Sequence, residues 1–146
     1  MSRTGRAGIA FLLQTVAASA AMTASQRAEM LVTRRDASDL PVRAVERLTG
    51  ASVSGKAART VVGHLAQGAL AATGVALARI TRNTAAVPAV GLIAALLVAG
   101  DAALAAMLGL APVPWRWARR DLAIDVTHKT SLAVAARTII ARGPNS

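Results

Sequence analysis

Residues 85–111 read AAVPAVGLIAALLVAGDAALAAMLGLA, a run of 27 residues whose only charged side chain is Asp101. About 20 apolar residues cross the hydrocarbon core of a bilayer, so this run predicts a membrane-spanning helix with a carboxylate inside it. A charge at that depth is costly, and its partner becomes the first thing to look for. Pro88 suits a helix start, and Pro112 with Pro114 blocks continuation, which sets the span at about residues 88–110.

Three further segments of the chain read as spans. One lies at about 60–78, between Arg59 and Arg79, and is rich in Gly and Ala; another lies at about 7–24, between Arg6 and Arg27. The last, about 122–141, is interrupted by Asp125, His128, Lys129 and Arg137. A central Asp, Lys or Arg opposes insertion by roughly 2.5–3.5 kcal/mol, so this helix needs partners for its polar groups. The first segment also fits a secretory signal, with Arg3 and Arg6 before an apolar stretch at 9–16 and an A-x-A site at Ala18-Ser19-Ala20. A retained helix running on toward Arg34 is the preferred reading, because Met22, Met30 and Leu31 continue a helical pattern past that site.

Composition supports the membrane class. Hydrophobic residues make up 54% of the chain but aromatic residues only 2%, with Phe11, Trp115 and Trp117 the complete set. A soluble core uses larger side chains, whereas membrane helices pack closely through Ala, Gly, Ser and Thr. The formal charge of +10 resembles a nucleic-acid signal, yet the basic residues flank the apolar runs, where they suit anionic lipid headgroups; no nucleic-acid partner is expected. The absence of Cys excludes disulfides, thiolate metal sites and thiol catalysis.

The polar loop at 25–59 contains one more element. Asp36 to Pro41 reads as a stop followed by a new start, with Asp39 as a cap and Pro41 in the first turn. Leu40, Val45 and Leu48 then share one side, Arg43, Glu46 and Arg47 the other, and Gly50 ends the helix. This pattern predicts a short amphipathic helix on the membrane surface. Just beyond it, Gly50 to Lys56 matches G-x-x-x-x-G-K, but Ala57 stands where a phosphate-binding loop needs Ser or Thr, and no strand precedes it. The segment reads as a linker.

Basic residues give the orientation. Arg27, Arg34, Arg35, Arg43, Arg47, Lys56, Arg59, Arg116, Arg119 and Arg120 fall on one side; Arg3, Arg6, Arg79, Arg82, Arg137 and Arg142 fall on the other. The positive-inside tendency puts the 25–59 and 111–121 loops in the cytoplasm and both termini outside. Trp115 and Trp117 suit interface anchors beside the latter loop.

Converting position to depth at 1.5 Å per helical residue brings the polar residues to one level. From the face of those two loops, His64 lies about 6 Å in, Gln67 about 10 Å, Asp125 about 5 Å, His128 about 9 Å, Lys129 about 10 Å and Asp101 about 14 Å. Asp125 precedes His128 by three residues and Lys129 by four, so the three share a helix face. The long Lys129 stem reaches toward Asp101, and pairing lets both charges survive burial. The cluster therefore has two readings. It is polar packing that fixes how Ala-rich helices align, or it is a polar vestibule for a proton, an ion or a small solute. Two His and two Asp lack the dense spacing of a metal site, and no catalytic constellation is recognisable, so neither cofactor nor enzyme activity is expected.

Gly63-His64-Leu65 opening a Gly-rich span, Met107-Leu-Gly-Leu-Ala-Pro112-Val-Pro-Trp115 closing the next, and His128 in the last span resemble the YagU-like family of small bacterial inner-membrane proteins. The similarity covers about residues 63–137. It implies a polytopic membrane fold and no established reaction; Asp101, Lys129 and the low aromatic content depart from it. The complete reading is a single all-α membrane domain over 1–146, a multi-pass bundle of four helices in the bacterial inner membrane. It serves either as a structural subunit associated with a membrane-protein partner or a second copy, or as a small transporter or ion-conducting protein.

Overall fold

The computed structural model describes residues 3–34 and 38–142, and every regular element among them is helical. Residues 35–37, which include Arg35 and Asp36 of the expected helix stop, lie outside the described residues. The helices are α1 (Arg3–Thr33), α2 (Leu40–Thr49), α3 (Lys56–Ile80), α4 (Ala86–Met107) and α5 (Arg119–Arg142), with a 3₁₀ turn at Pro114–Arg116 before α5. By length and composition α1, α3 and α4 can each cross a membrane. Composition thus identifies three candidate spans, and α5 is not among them, although its 24 residues measure about 36 Å at 1.5 Å per residue.

Helix α1 runs past Arg27 to Thr33, as the continuing helical pattern predicts, and the exposed Arg27 side chain interrupts no packing. Helix α4 stops at Met107 rather than at Pro112. Gly109 adopts φ 65°, its N–H donates to the Ala106 carbonyl at 3.0 Å, and the Leu110 N–H donates to the Ala105 carbonyl at 2.9 Å. This is the left-handed closure that glycine permits at a helix C-terminus, and it acts before proline is reached.

Helix α2 ends at Gly50 (φ 70°), whose N–H donates to the Glu46 carbonyl. Asp39 does not cap it: the Asp39 carboxylate lies 3.2 Å from Arg59 at the start of α3, and the Leu40 N–H donates to Ser38 Oγ instead. Arg59 also meets Glu46 at 3.4 Å. These half-exposed contacts orient α2 more than they stabilise it. It packs on α3 through Val42, which is buried 3.7 Å from the point a Gly63 side chain would occupy, rather than through the side formed by Leu40, Val45 and Leu48.

The most polar of the long helices is the most enclosed. Helix α5 packs against α1, α3 and α4, and between His128 and Ile140 only Val134 is exposed. Leu132, Ala133 and Ala136 are fully buried in one core with Ala71, Val75, Ile93 and Ala18, to which the nearly buried Met22 adds. Gly74 allows the closest approach: a Cβ there would sit 3.4 Å from Leu132 and 3.6 Å from Leu97. Polar ties fasten the periphery. Ser25 meets Ser131 at 3.3 Å, and Arg79 donates to Gln14 Oε1 at 2.7 Å while its guanidinium lies 5.0 Å from the Phe11 ring centre. Arg137 turns to the α3–α4 connection and donates to the carbonyls of Arg82 and Thr84.

Candidate functional site

Helices α4 and α5 bring three charges together. Lys129 Nζ lies 2.7 Å from Asp101 Oδ2 on α4 and also donates to Asp125 Oδ1, one turn earlier on α5. The Lys129 side chain is 3% exposed, against 24% for Asp125 and 37% for Asp101. The ammonium is therefore the buried centre of the group, and Asp101 is its most accessible member. Helical spacing explains Asp125, since residues four apart face the same way. Asp101 arrives because α4 packs along α5 and the lysine stem bridges the difference in height. Two carboxylates sharing one ammonium leave a formal charge of −1 on a mostly buried group. Asp125 Oδ2 is buried and has no hydrogen-bond partner among the described residues.

The group forms one wall of a cavity of about 920 Å³. Contact between α3 and α4 is sparse, and the cavity occupies the space beside them. Leu70 and Thr73 of α3 and Leu96, Leu97 and Leu104 of α4 line its apolar side. Leu40, Pro41, Ala44, Val45 and Leu48 of α2 cover another side. At the end nearest the α4–α5 connection the lining includes Arg116, Trp117 and Asp121.

The sequence-predicted residues divide unevenly. Asp101, Asp125, His128, Lys129 and Gln67 all line the cavity. His128 is 8% exposed and stands beside Lys129 on the enclosed side of α5. Gln67 does not join the charged group; its amide donates to Gln26 of α1. His64 is exposed and absent from the lining, because at that height α3 is covered by α2 through Gly63 rather than through His64. Trp115 is 81% exposed, whereas Trp117 is half-buried, lines the cavity and donates from Nε1 to the Pro112 carbonyl at 2.6 Å.

Two lining residues, Gln26 and Glu29, escape a reading that ends the first span at residue 24. Continuing the helical pattern through Arg27 brings Gln26 to the level of Gln67 and Glu29 to the next turn of α1. Glu29 accepts a hydrogen bond from Thr33 at 2.7 Å. Among the described residues no three His, Asp or Glu side chains are grouped to hold a metal ion. No family model, curated protein or solved structure matches the chain.

Proposed function

We propose that the chain is a small multi-pass protein of the bacterial inner membrane that admits a small polar or charged solute to the α3–α4 cavity, as part of a transporter or ion-conducting cycle. One observation carries this reading: the Lys129 group stands at a cavity of about 920 Å³ instead of being sealed between helices. That volume falls in the range of about 300–1,000 Å³ used by small-molecule sites. In this reading α5 is the fourth span, its polar residues sheltered by the three apolar helices, and the first helix is retained. The α2 and Trp117 end faces the cytoplasm in accordance with the basic-residue bias. Membership of the YagU-like group belongs to the same proposal and rests on the motifs alone.

A second reading has its own support. Lys129 connects α4 to α5, so the group also serves as the polar fastening of a structural membrane subunit. Thiol accessibility separates the two, since the chain has no native Cys. Gly100 lines the cavity, and a Cβ there meets nothing within 4 Å. In proteoliposomes, Gly100→Cys should react with a charged, membrane-impermeant thiol reagent from the side that labels Ala118→Cys. A control at Leu92→Cys, on the exposed apolar side of α4, should stay unmodified. Failure of Gly100→Cys to react would leave the fastening role alone.

A further inference from the structure

The cavity has an electrostatic character opposite to that of the chain around it. Among the described residues, four of the protein's seven acidic side chains line it (Glu29, Asp101, Asp121 and Asp125), against two of its seventeen basic ones (Arg116 and Lys129). In a chain of formal charge +10, chance placement would give the reverse. Low-dielectric walls make such a local excess felt strongly by anything that enters.

The chemistry of the wall narrows the class of ligand. Lys129 is buried, and Asp125 is the less exposed of its two partners, so that pair is neutral on its own. Asp101 adds a second carboxylate with more than a third of its side chain accessible. The group thus holds one negative charge without a full counter-charge, at the position a bound molecule can reach. Trp117 supplies an aromatic surface in the same lining, and an indole attracts cations through its ring face. Leu70, Leu96, Leu97 and Leu104 supply the remaining wall and can shelter only an apolar body.

We infer that the cavity binds a monovalent organic cation, a protonated amine or quaternary ammonium with an apolar body, whose charge rests against Asp101. The apolar body fills the α3–α4 side, and Lys129 holds both carboxylates in place. An anion meets an excess of carboxylates, and a small inorganic cation leaves the leucine wall unfilled. This inference rests on the proposed accessible cavity and adds the sign and shape of what enters it.

The test uses the full chain in detergent or nanodiscs. Trp115→Phe leaves Trp117 as the only indole, at the cavity wall. Benzyltrimethylammonium should change Trp117 emission saturably, whereas benzylsulfonate and the neutral carbon isostere neopentylbenzene should bind at least about tenfold more weakly, as loss of the Coulombic attraction to Asp101 and of the cation–π contact requires. Asp101→Asn should weaken the cation at least about tenfold and leave the neutral compound unchanged. Because Asp101→Asn also alters a helix contact, Gly100→Phe provides a second variant: it keeps every charge, enters open space and should block the cation by occupying the cavity. Saturable binding of all three probes with equal affinity, or binding indifferent to Asp101→Asn, would overturn the cationic inference while leaving an accessible cavity. Absence of saturable binding by any probe also overturns it. The Gly100→Cys labelling then reports separately whether the cavity itself is open.

Discussion

Helices α4 and α5 lie side by side and are built on opposite rules. Helix α4 is the most apolar element, yet Val87, Leu92 and Met107 along it are exposed outside the cavity. Helix α5 is the most polar of the long helices, yet its C-terminal half is enclosed by three neighbours. In water this arrangement would be inverted. In a bilayer it is the favourable one, because lipid tails accept leucine while charges must find partners inside the bundle. Hydropathy therefore reports which helix surface meets the solvent, and polarity in an otherwise long helix reports shelter. Asp101 is the exception on α4, and it sits where α4 meets α5.

Substitutions along the two helices can break or sharpen this contrast. The largest expected effect is at Lys129. Lys129→Met leaves two carboxylates facing each other across α4 and α5, a loss of about 3–5 kcal/mol for a stranded buried charge. Equilibrium unfolding in mixed detergent micelles measures it. Equal leucine truncations come next. Leu132→Ala on α5, fully buried against Gly74 and Leu97, should cost about 2–5 kcal/mol. Leu92→Ala on α4, which is 49% exposed, should cost much less in the same assay. Equal losses at the two positions would mean that α4 is covered by something other than lipid.

Smaller effects follow. Gly74→Val forces methyl groups into the Leu132 and Leu97 contact and should destabilise by about 1–3 kcal/mol. Gln67→Ala removes the bond to Gln26, and interhelical hydrogen bonds in membranes average about 0.6 kcal/mol, so a shift near the limit of detection is expected. A comparably small change is expected at Asp101→Asn. It keeps the Lys129–Asp125 pair neutral and removes a charge from an accessible position, so its cost should stay within about 1 kcal/mol.

That asymmetry could not be read from the sequence, which suggests a simple Asp101–Lys129 pair with equal costs on either side. Depth and stem length are enough to bring those two residues within reach. They do not reveal that Asp125 shares the ammonium, since i and i+4 spacing offers a contact without saying that it forms. The three apolar helices were legible from run length alone. The enclosure of α5 was legible only as a requirement, because its charges call for partners without saying which helices supply them. The cavity was hidden for a different reason: it arises from sparse α3–α4 contact and from α2 covering one side, both tertiary outcomes. His64 shows the limit of phase arguments. It lies on nearly the same side of α3 as buried Ala71, but two turns away, where no helix covers it. Gln26 was missed because Arg27 served as a span boundary, although an exposed arginine does not interrupt a helix.

The central claim is that one buried ammonium holds carboxylates from two helices in a single electrostatic group, and charge removal in sets tests it most directly. The unfolding free energy should be measured for the native chain, for Lys129→Met, and for Lys129→Met combined with Asp101→Asn and Asp125→Asn. The account predicts a loss of about 3–5 kcal/mol for the single variant and recovery of most of it in the triple variant, because no charge is then left without a partner. A triple variant as unstable as Lys129→Met, or less stable still, would show that the three side chains do not act as one electrostatic group.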